Sequence, residues 1–414
     1  MNNLKNKLPL LLITLWFGCE DLEFPDPNAP SVDYPHTVQT LVTGAEAGMR
    51  SGYALYLRSV SVIGREAYYN EPADPRYTGE LLSGPLDPGG FLVYTPWTAR
   101  YRVISNCRVL MNQHAEDLGA VGFAKTIEAY QLSLVLSMQN ENGCKIAPYN
   151  GLESDFVSKE DGWTEVVALL DGGYADLNSA GSSFSFTLSS GFAGFDTPET
   201  FKKFNRAIRA RVAVYLNDWS TALTALDDSF MDDAGDMSLG VYHVYTTGQG
   251  DQSNGMYENP TGEFIRLMVH PSFETDADSA DVRFSSKVVK RDSEIEFVNL
   301  NSDLGVTMWT GDYDPVSIIR KEELVLLKAE ATIGGGTGDG LTEINAVRAA
   351  HGLDAATEGG LTRLLHEKRY SLFLEGHRWI DMRHYGLTDQ LPLDRDGDEV
   401  FDSYPRPETE VPGS

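Results

Sequence analysis

The stretch LLHEKRYSLFLEGHRWIDMRHYG, residues 364–386, concentrates side chains whose types and spacing could do chemistry. If the stretch is one helix, His377, Asp381 and His384 share a face, because side chains three and four positions apart lie one above the other. Two imidazoles and a carboxylate form a ligand set that can hold zinc. Glu367 and Glu375 lie two helical turns apart and could act as an acid and base pair. The stretch therefore raises two hypotheses, a metal site and a carboxylate pair.

Neighbouring residues favour a structural role over both hypotheses. Cationic side chains repel a metal ion and keep carboxylates ionised, so we expect Lys368, Arg369 and Arg378 to pair with Glu367 and Glu375. The sequence holds no serine nucleophile elbow, phosphate-binding loop or dinucleotide-binding loop. We therefore predict no catalytic residue, no metal and no cofactor. A helix with one apolar stripe and a compensated charged face is typical of a scaffold, and the stripe here consists of Leu361, Leu364, Leu365 and Leu372.

Length and composition indicate a folded, acidic protein. The 414 residues are 42% hydrophobic, which is enough for one large domain or two to three ordinary ones. The formal net charge is −28 and is spread along the chain. A surface this acidic repels phosphate backbones, so nucleic acid is excluded as a partner. The same acidity keeps a secreted protein soluble.

The N-terminus, MNNLKNKLPLLLITLWFGC, has the pattern of a secretion signal. Lys5 and Lys7 precede a short apolar run that is too short to span a bilayer. A small residue just before Cys19 predicts a bacterial lipoprotein signal over residues 1–18, cleaved before Cys19 and lipidated on it. Such signals usually carry Leu where this chain has Trp16, so an ordinary signal peptide or a buried first helix stays an alternative. Residues 19–35 are acidic and rich in proline, which predicts an extended tether.

The cysteines predict no disulfide framework. Besides Cys19 the chain has only Cys107 and Cys144, and no CxxC motif. Two thiols do not make a framework. They could pair in an oxidising compartment or stay buried and free, and the sequence leaves both readings open.

Most apolar residues recur at helical spacing, so we predict a mainly α fold. Within residues 198–228 two helices are expected to meet near Asn217 and Asp218, with the small-residue, aromatic and alanine spacing of a tetratricopeptide-type hairpin. Residues 229–316 instead predict a long loop-rich insertion with short strand-like pieces. The predicted helices cover residues 37–60, 97–113, 122–140, 162–180, 198–228, 317–333, 341–352 and 361–386.

The C-terminal stretch closely resembles the signature of the SusD/RagB family, surface lipoproteins of nutrient-uptake systems. Further segments resemble family motifs in the same order, among them CEDLEFPDPNAP, WTARYRVISNCRVL, FNRAIRARVAVYLNDWSTALTALDD and IIRKEELVLLKAEA. In the second of these the Asn comes one place early and Cys107 stands where Ala is usual. The resemblance runs from Cys19 to about residue 411 and is loosest in the middle loops. The residues that match the signature are Glu367, Arg369, Glu375, Gly376, Arg378, Trp379, Asp381 and Arg383.

The resemblance implies a fold and a function. It implies one SusD-like domain over residues 36–414, a tetratricopeptide-like α/α superhelix with scaffold helices in 36–228 and 317–386 and a ligand-binding region in about 229–316. It implies a non-enzymatic lipoprotein of the outer membrane, facing the exterior. As the lid of a TonB-dependent, SusC-like barrel, the protein would capture an oligosaccharide or a peptide. The charged residues of the C-terminal stretch would then tie helices together.

Two rival functions stay open. The first is a surface glycan-binding lipoprotein that acts without a transporter. The second is a glycoside hydrolase that uses carboxylates such as Asp312 and Glu322, which requires two carboxyl groups to converge in a cleft.

A sugar site needs flat aromatic faces for ring C–H groups and polar side chains for hydroxyls. Two loops offer both, and the resemblance implies that binding residues come from loops. For Trp309 the alternative is packing in the core. The predicted ligand-binding residues are Tyr68, Tyr69, Asn70 and Arg76 in the first loop and Trp309, Asp312 and Tyr313 in the second.

The segment DRDGDE, residues 394–399, suggests a calcium loop. An EF-hand loop needs Gly at its sixth place and Glu at its twelfth. Here those places hold Glu399 and Pro405. We therefore interpret the segment as an acidic turn.

Overall fold

The computed structural model describes residues 35–146, 154–246, 248, 251–279 and 281–411. The signal, Cys19 and the predicted tether up to residue 34 lie outside the described residues. The helices are α1 (Val38–Arg50), α2 (Tyr53–Ile63), α3 (Glu80–Ser83), α4 (Phe91–Gln113), α5 (Leu118–Gln139), α6 (Lys159–Ser179), α7 (Pro198–Tyr215), α8 (Trp219–Asp227), α9 (Ser272–Thr275), α10 (Val282–Lys287), α11 (Lys321–Gly334), α12 (Leu341–Ala350), α13 (Leu361–Ser371) and α14 (Arg378–His384). The strands are β1 (Ala67–Tyr69), β2 (Cys144–Lys145), β3 (Phe156–Val157), β4 (Gly240–His243), β5 (Leu267–Val269), β6 (Val288–Phe297), β7 (Leu300–Val306) and β8 (Val316–Arg320).

Short polar side chains start several of the long helices. The side chains of Thr37, Asp117, Ser158 and Asp218 each accept a hydrogen bond from the backbone N–H three residues further on. Each bond satisfies one of the donors that a helix leaves open at its N-terminus. The helix starts are therefore fixed by local sequence before any tertiary packing.

The hairpin of α7 and α8 forms where the sequence predicts it. The chain turns at Asn217, whose φ is +57°, a left-handed conformation that Asn tolerates better than most residues. Asp218 then caps α8, and its carboxylate accepts from the backbone N–H of Thr221 at 3.2 Å.

The helices form one continuous body. Along the chain α4 packs on α5, α5 on α6, α6 on α7 and α7 on α8, and α8 then packs on α11. Helices α12 and α13 pack on α11 through an apolar cluster of their own. The mainly α class is confirmed. Among the described residues no helix combines the length and the apolar character that a membrane crossing requires.

The middle of the chain is more regular than the sequence predicts. The strand-like pieces GVYHVYTT and EIEFVNL correspond to β4 and to the end of β6. Strands β5, β6 and β7 join β1 in an antiparallel sheet of order β1-β5-β7-β6, and β4 pairs with β8. The sheet places the loop after β1 beside the segment that precedes β5.

The C-terminal stretch is not the single helix expected over residues 361–386. Helix α13 ends at Ser371 and α14 begins at Arg378. Between them Leu374 and Gly376 have φ of +60° and +85°, which no continuous helix can contain. The preceding helix is also shorter than predicted, because residues 317–320 belong to β8.

Candidate functional site

The carboxylates of the C-terminal stretch are bound to cations on other elements. Glu367 is fully buried and contacts the guanidinium groups of Arg283 at 2.6 Å and Arg348 at 2.9 Å, and that of Arg363 as well. Glu375 contacts Arg320 at 2.7 Å. The predicted pairing of Glu367 and Glu375 with Lys368, Arg369 and Arg378 is therefore wrong. The two glutamates pair with other arginines instead, because α13 and α14 are separate helices that face different neighbours.

Lys368 holds two buried carboxylates together. Its ammonium lies 2.8 Å from Glu330 and 2.6 Å from Asp381, and all three side chains are at most 5% exposed. Burial raises the pKa of Asp381 to about 7, and the ammonium of Lys368 opposes that shift. The group joins α11, α13 and α14, so its geometry is that of a structural clamp.

The metal hypothesis gains no support from the fold. His377 lies at the N-terminal end of α14, and burial places its pKa well below the usual value. In the part of the chain that the structure describes, no three metal-binding side chains converge. In the DRDGDE segment, Asp394 lies 3.1 Å from His270, and Asp398 is paired with Arg395 at 2.8 Å.

The first predicted loop is anchored by its aromatic residues. Tyr68 and Tyr69 are 2% and 4% exposed, and Asn70 is buried as well. Tyr69 is covered by two guanidinium groups, with Arg58 at 4.6 Å and Arg266 at 5.8 Å from the ring centroid. These three side chains therefore offer a ligand almost no accessible surface.

Arg76 is the most exposed of the predicted binding residues in the first loop. Its guanidinium binds both carboxylate oxygens of Asp74, at 2.9 and 2.6 Å, and lies 4.4 Å from the ring centroid of Phe91. The side chain is 40% exposed. It is held in place by neighbours and still accessible to a ligand.

The second predicted loop is a turn built around two side chains. Trp309 is only 6% exposed, and its indole N–H donates to the carbonyl of Pro315 at 3.2 Å. The carboxylate of Asp314 accepts from the backbone N–H groups of Thr310 and, at 3.1 Å, Gly311. These contacts lower the pKa of Asp314. The neighbouring Tyr313 is 45% exposed.

One segment, residues 254–266, joins the two loops. Asn254 donates to the carbonyls of Asp312 at 2.6 Å and Asp314 at 3.0 Å. The next residue, Gly255, lies against α2, where a Cβ would come within 2.9 Å of Ala54 and 3.7 Å of Arg58. The segment therefore reaches from the second loop to the arginine that covers Tyr69.

The same segment also binds the first loop directly. Arg266 pairs with Glu258 at 2.6 Å and with Glu71 at 3.2 Å. We call residues 68–77, 254–266 and 309–314 together the loop face. The two predicted loops thus belong to one connected surface.

Sequence reasoning missed Arg58 of α2 and two residues of the loop face, Glu258 and Arg266. Their partners Tyr69, Arg266 and Glu71 lie eight or more positions away along the chain, beyond the spacing of a single helix or strand, so local spacing carries no signal for them. The exposed aromatic side chain of Phe264, at 46%, was missed for the same reason. The only local sign was the cluster of turn residues in NGMYENPTGEF, residues 254–264.

The arrangement offers binding groups, and the two carboxylates named for a hydrolase lie in different surroundings. Asp312 is exposed, whereas Glu322 is 3% exposed and binds Arg320 and His351. Burial would raise the pKa of Glu322, but the Arg320 guanidinium, the hydrogen bond with His351 and the Lys287 ammonium together outweigh burial and place that pKa well below the usual value. Glu322 therefore cannot deliver a proton as a glycosidase acid must.

Known structures share this architecture, although no protein-family model and no curated protein matches the sequence. A SusD superfamily protein from Bacteroides thetaiotaomicron aligns with a TM-score of 0.70 and 15% identity, over 93% of this chain and 98% of that one. The chain has the SusD-like fold.

Two further structures that align with this chain were solved with sugars. Surface glycan-binding protein A from Bacteroides thetaiotaomicron, in complex with laminarihexaose, aligns with a TM-score of 0.69 and 15% identity over 90% of this chain and 96% of its own. A structure with a xylogluco-oligosaccharide aligns with a TM-score of 0.63 and 13% identity over 84% of each chain. At such identities the SusD-like match establishes the fold, and it confirms the resemblance read from the C-terminal stretch at that level.

Proposed function

We propose that the protein binds a neutral oligosaccharide on the loop face and performs no covalent chemistry. The observation that carries this proposal is the SusD-like fold, which extends over nine-tenths of the chain. Structures that align with this chain hold laminarihexaose or a xylogluco-oligosaccharide. The loop face supplies what such a ligand needs, because it combines exposed aromatic rings with polar side chains.

Tyr313, Asp312 and Arg76 are the predicted residues that can touch a ligand directly. Tyr313 offers a ring face for the C–H groups of a sugar, and the other two offer an acceptor and a donor for hydroxyls. We propose that the buried members of the predicted set, Trp309 and Tyr69 with their neighbours Tyr68 and Asn70, hold the loops in position.

The charges of the loop face support a neutral ligand. Of the two arginines that cover the Tyr69 ring, Arg266 pairs with Glu258 and Glu71, and Arg58 donates to the hydroxyl of Tyr69. Arg76 is likewise paired with Asp74. An acidic glycan or an acidic peptide would have to break these pairs and approach a protein of net charge −28.

Calorimetric titration tests the proposal. The protein spanning residues 20–414, which contains every described residue, is titrated with laminarihexaose, a xylogluco-oligosaccharide and a neutral peptide. We expect binding of at least one oligosaccharide, weakened about tenfold by Tyr313→Ala, because a lost aromatic contact is worth about 1.4 kcal/mol. Tyr174→Ala, on α6 outside the loop face, is the matched control and should bind normally.

The alternatives predict different results. Binding that survives Tyr313→Ala would move the site away from the second loop. A peptide that binds while the sugars do not would keep capture and change the ligand class. Release of shorter sugars during overnight incubation, followed by chromatography, would support the hydrolase rival and end the purely binding role.

We further propose that Cys19 is lipidated, that the protein faces the exterior of the outer membrane, and that it acts as the lid of a TonB-dependent, SusC-like barrel. The lipoprotein signal and the SusD/RagB resemblance support this. Cys19→Ser should move the protein out of the detergent-extracted membrane fraction. Deletion of the gene should reduce uptake of the bound oligosaccharide; unchanged uptake would favour the rival that acts without a transporter.

A further inference from the structure

A small cavity lies between Glu66, the residue that directly precedes β1, and the helices α13 and α14. Arg369 of α13 and Arg378 of α14 line it together with Glu66, and Leu365 and Met382 contribute apolar surface. Its volume is about 10 Å³, which is close to the space that one water molecule needs. The residues that line this cavity are distinct from those of the loop face.

Three buried polar atoms of these side chains have no hydrogen-bond partner among the described residues. They are Oε2 of Glu66 and the Nε atoms of Arg369 and Arg378. The other carboxylate oxygen of Glu66 accepts from the backbone N–H of Leu374 at 3.3 Å. A buried polar group without a partner loses its solvation and gains nothing in return, so such groups are usually paired with an ordered water or an ion.

Glu66 and Arg378 influence each other without forming an ion pair. Burial raises the pKa of Glu66 to about 7, and the guanidinium of Arg378 is the strongest influence that opposes this rise. Burial and the neighbouring Arg369 lower the pKa of Arg378 to about 10, and Glu66 is the largest opposing influence. Yet Glu66 makes no direct ion pair with any cation of the described chain. Opposite charges at such a separation leave room for one bridging molecule.

The other charged groups of the wall are already held by the protein. The ammonium of Lys368 lies between two carboxylates, at 2.8 and 2.6 Å. The Nη atoms of Arg369 donate to Asp276 and Ser272, both at 2.6 Å. The buried capacity that stays open is therefore two N–H donors and one carboxylate acceptor.

This set of open groups selects the molecule that fits. A halide ion can accept from both arginines but would face the carboxylate of Glu66, and a cation would face two guanidinium groups. Water can accept twice and donate once, and buried waters typically make about three hydrogen bonds. We infer that the cavity binds one ordered water molecule, which accepts from the Nε–H groups of Arg369 and Arg378 and donates to Oε2 of Glu66. The water joins α13 and α14 to the base of β1.

The inference is independent of the proposed function, because the cavity lies outside the loop face and holds no sugar. A crystal structure of residues 20–414 at pH 8.5, determined at a resolution that shows ordered waters, tests it. We expect one density peak about 2.7–3.2 Å from both Nε atoms and about 2.5–3.0 Å from Oε2 of Glu66. A direct ion pair between Glu66 and Arg378 that closes the cavity would overturn the inference. So would an anomalous peak at this position in crystals soaked in sodium bromide, because it would identify a halide site.

Oxygen-17 relaxation dispersion counts long-lived internal waters in solution and provides the second test. Arg378→Met removes one of the two donors, so we expect the count to fall by one. Arg102→Met, which removes an exposed arginine of α4, is the matched control and should leave the count unchanged. A count that Arg378→Met does not change would show that Arg378 does not hold the water and would overturn the inference. If Arg378→Met does not fold, the crystal structure of the parent protein decides alone.

Discussion

Replacing Lys368 by methionine tests whether the charged C-terminal stretch is a structural clamp. The substitution keeps the length of the side chain and removes its ammonium, which lies between Glu330 and Asp381. Both carboxylates are at most 5% exposed, so neither can recover its solvation. Breaking a buried ion pair by removing one partner typically destabilises a protein by about 3–5 kcal/mol. We expect a loss of this size at pH 7.5.

The loss should depend on pH. Burial already raises the pKa of Asp381 to about 7 in the presence of Lys368, and without the ammonium that pKa must rise further. A carboxyl group whose folded pKa is raised stabilises the fold below its unfolded pKa of about 4, and that stability is lost as pH rises through the folded pKa. The penalty of Lys368→Met should therefore be smaller at pH 5.5 than at pH 7.5.

Urea titrations at the two pH values measure this difference between variant and parent. The matched control is Lys159→Met, which removes an exposed ion pair with Glu141 and should reduce stability by no more than about 1 kcal/mol at either pH. A penalty below about 1 kcal/mol at pH 7.5 would refute the clamp. An equal penalty at both pH values would refute the role of the carboxylates, because lost packing alone does not titrate.

Two further predictions concern Gly143 and the two cysteines Cys107 and Cys144. Gly143→Ala should destabilise the protein by more than about 2 kcal/mol in urea titrations, because φ is +71° and the new Cβ would lie 1.9 Å from the carbonyl of Val157; Gly181→Ala, with open space around it, should be near neutral. Cys107 and Cys144 are free and buried, and burial raises the pKa of both thiols, that of Cys144 to about 12. Neither thiol of residues 20–414 should react with a disulfide reagent at pH 8 until urea is added, and fast reaction of the native protein would contradict their burial.

Much of the fold could be predicted because its signals are local. The N-caps and the turn at Asn217 depend on residues within one helical turn of each other. The break between α13 and α14 could not be predicted, because the apolar spacing of the sequence continues across it. Gly376 adopts its positive φ at a place where an added Cβ would lie 3.2 Å from Leu57 and 3.4 Å from Tyr56, and this close approach is set by the folded neighbours.

The sequence predicts which loops form the candidate site, but it does not predict which of their side chains are exposed. A tyrosine or tryptophan in a turn-rich segment can face solvent or anchor the turn, and composition does not distinguish the two. Tyr69 is buried because Arg58 and Arg266 cover it, and Trp309 because a carbonyl accepts its N–H. Which ring stays exposed, here Tyr313, is decided by contacts that only the folded chain brings together.

The C-terminal stretch also helps to support the loop face. The backbone N–H of Leu374, in the reversal between α13 and α14, donates to the buried carboxylate of Glu66 at 3.3 Å. Glu66 directly precedes β1, and its carbonyl accepts from the backbone N–H of His270 at 2.9 Å. His270 in turn packs its ring 5.0 Å from that of Tyr68. The base of the first loop is therefore fixed by the same C-terminal stretch whose charged residues suggested an active site. Substitutions in that stretch should weaken ligand binding, because they would loosen the loop face.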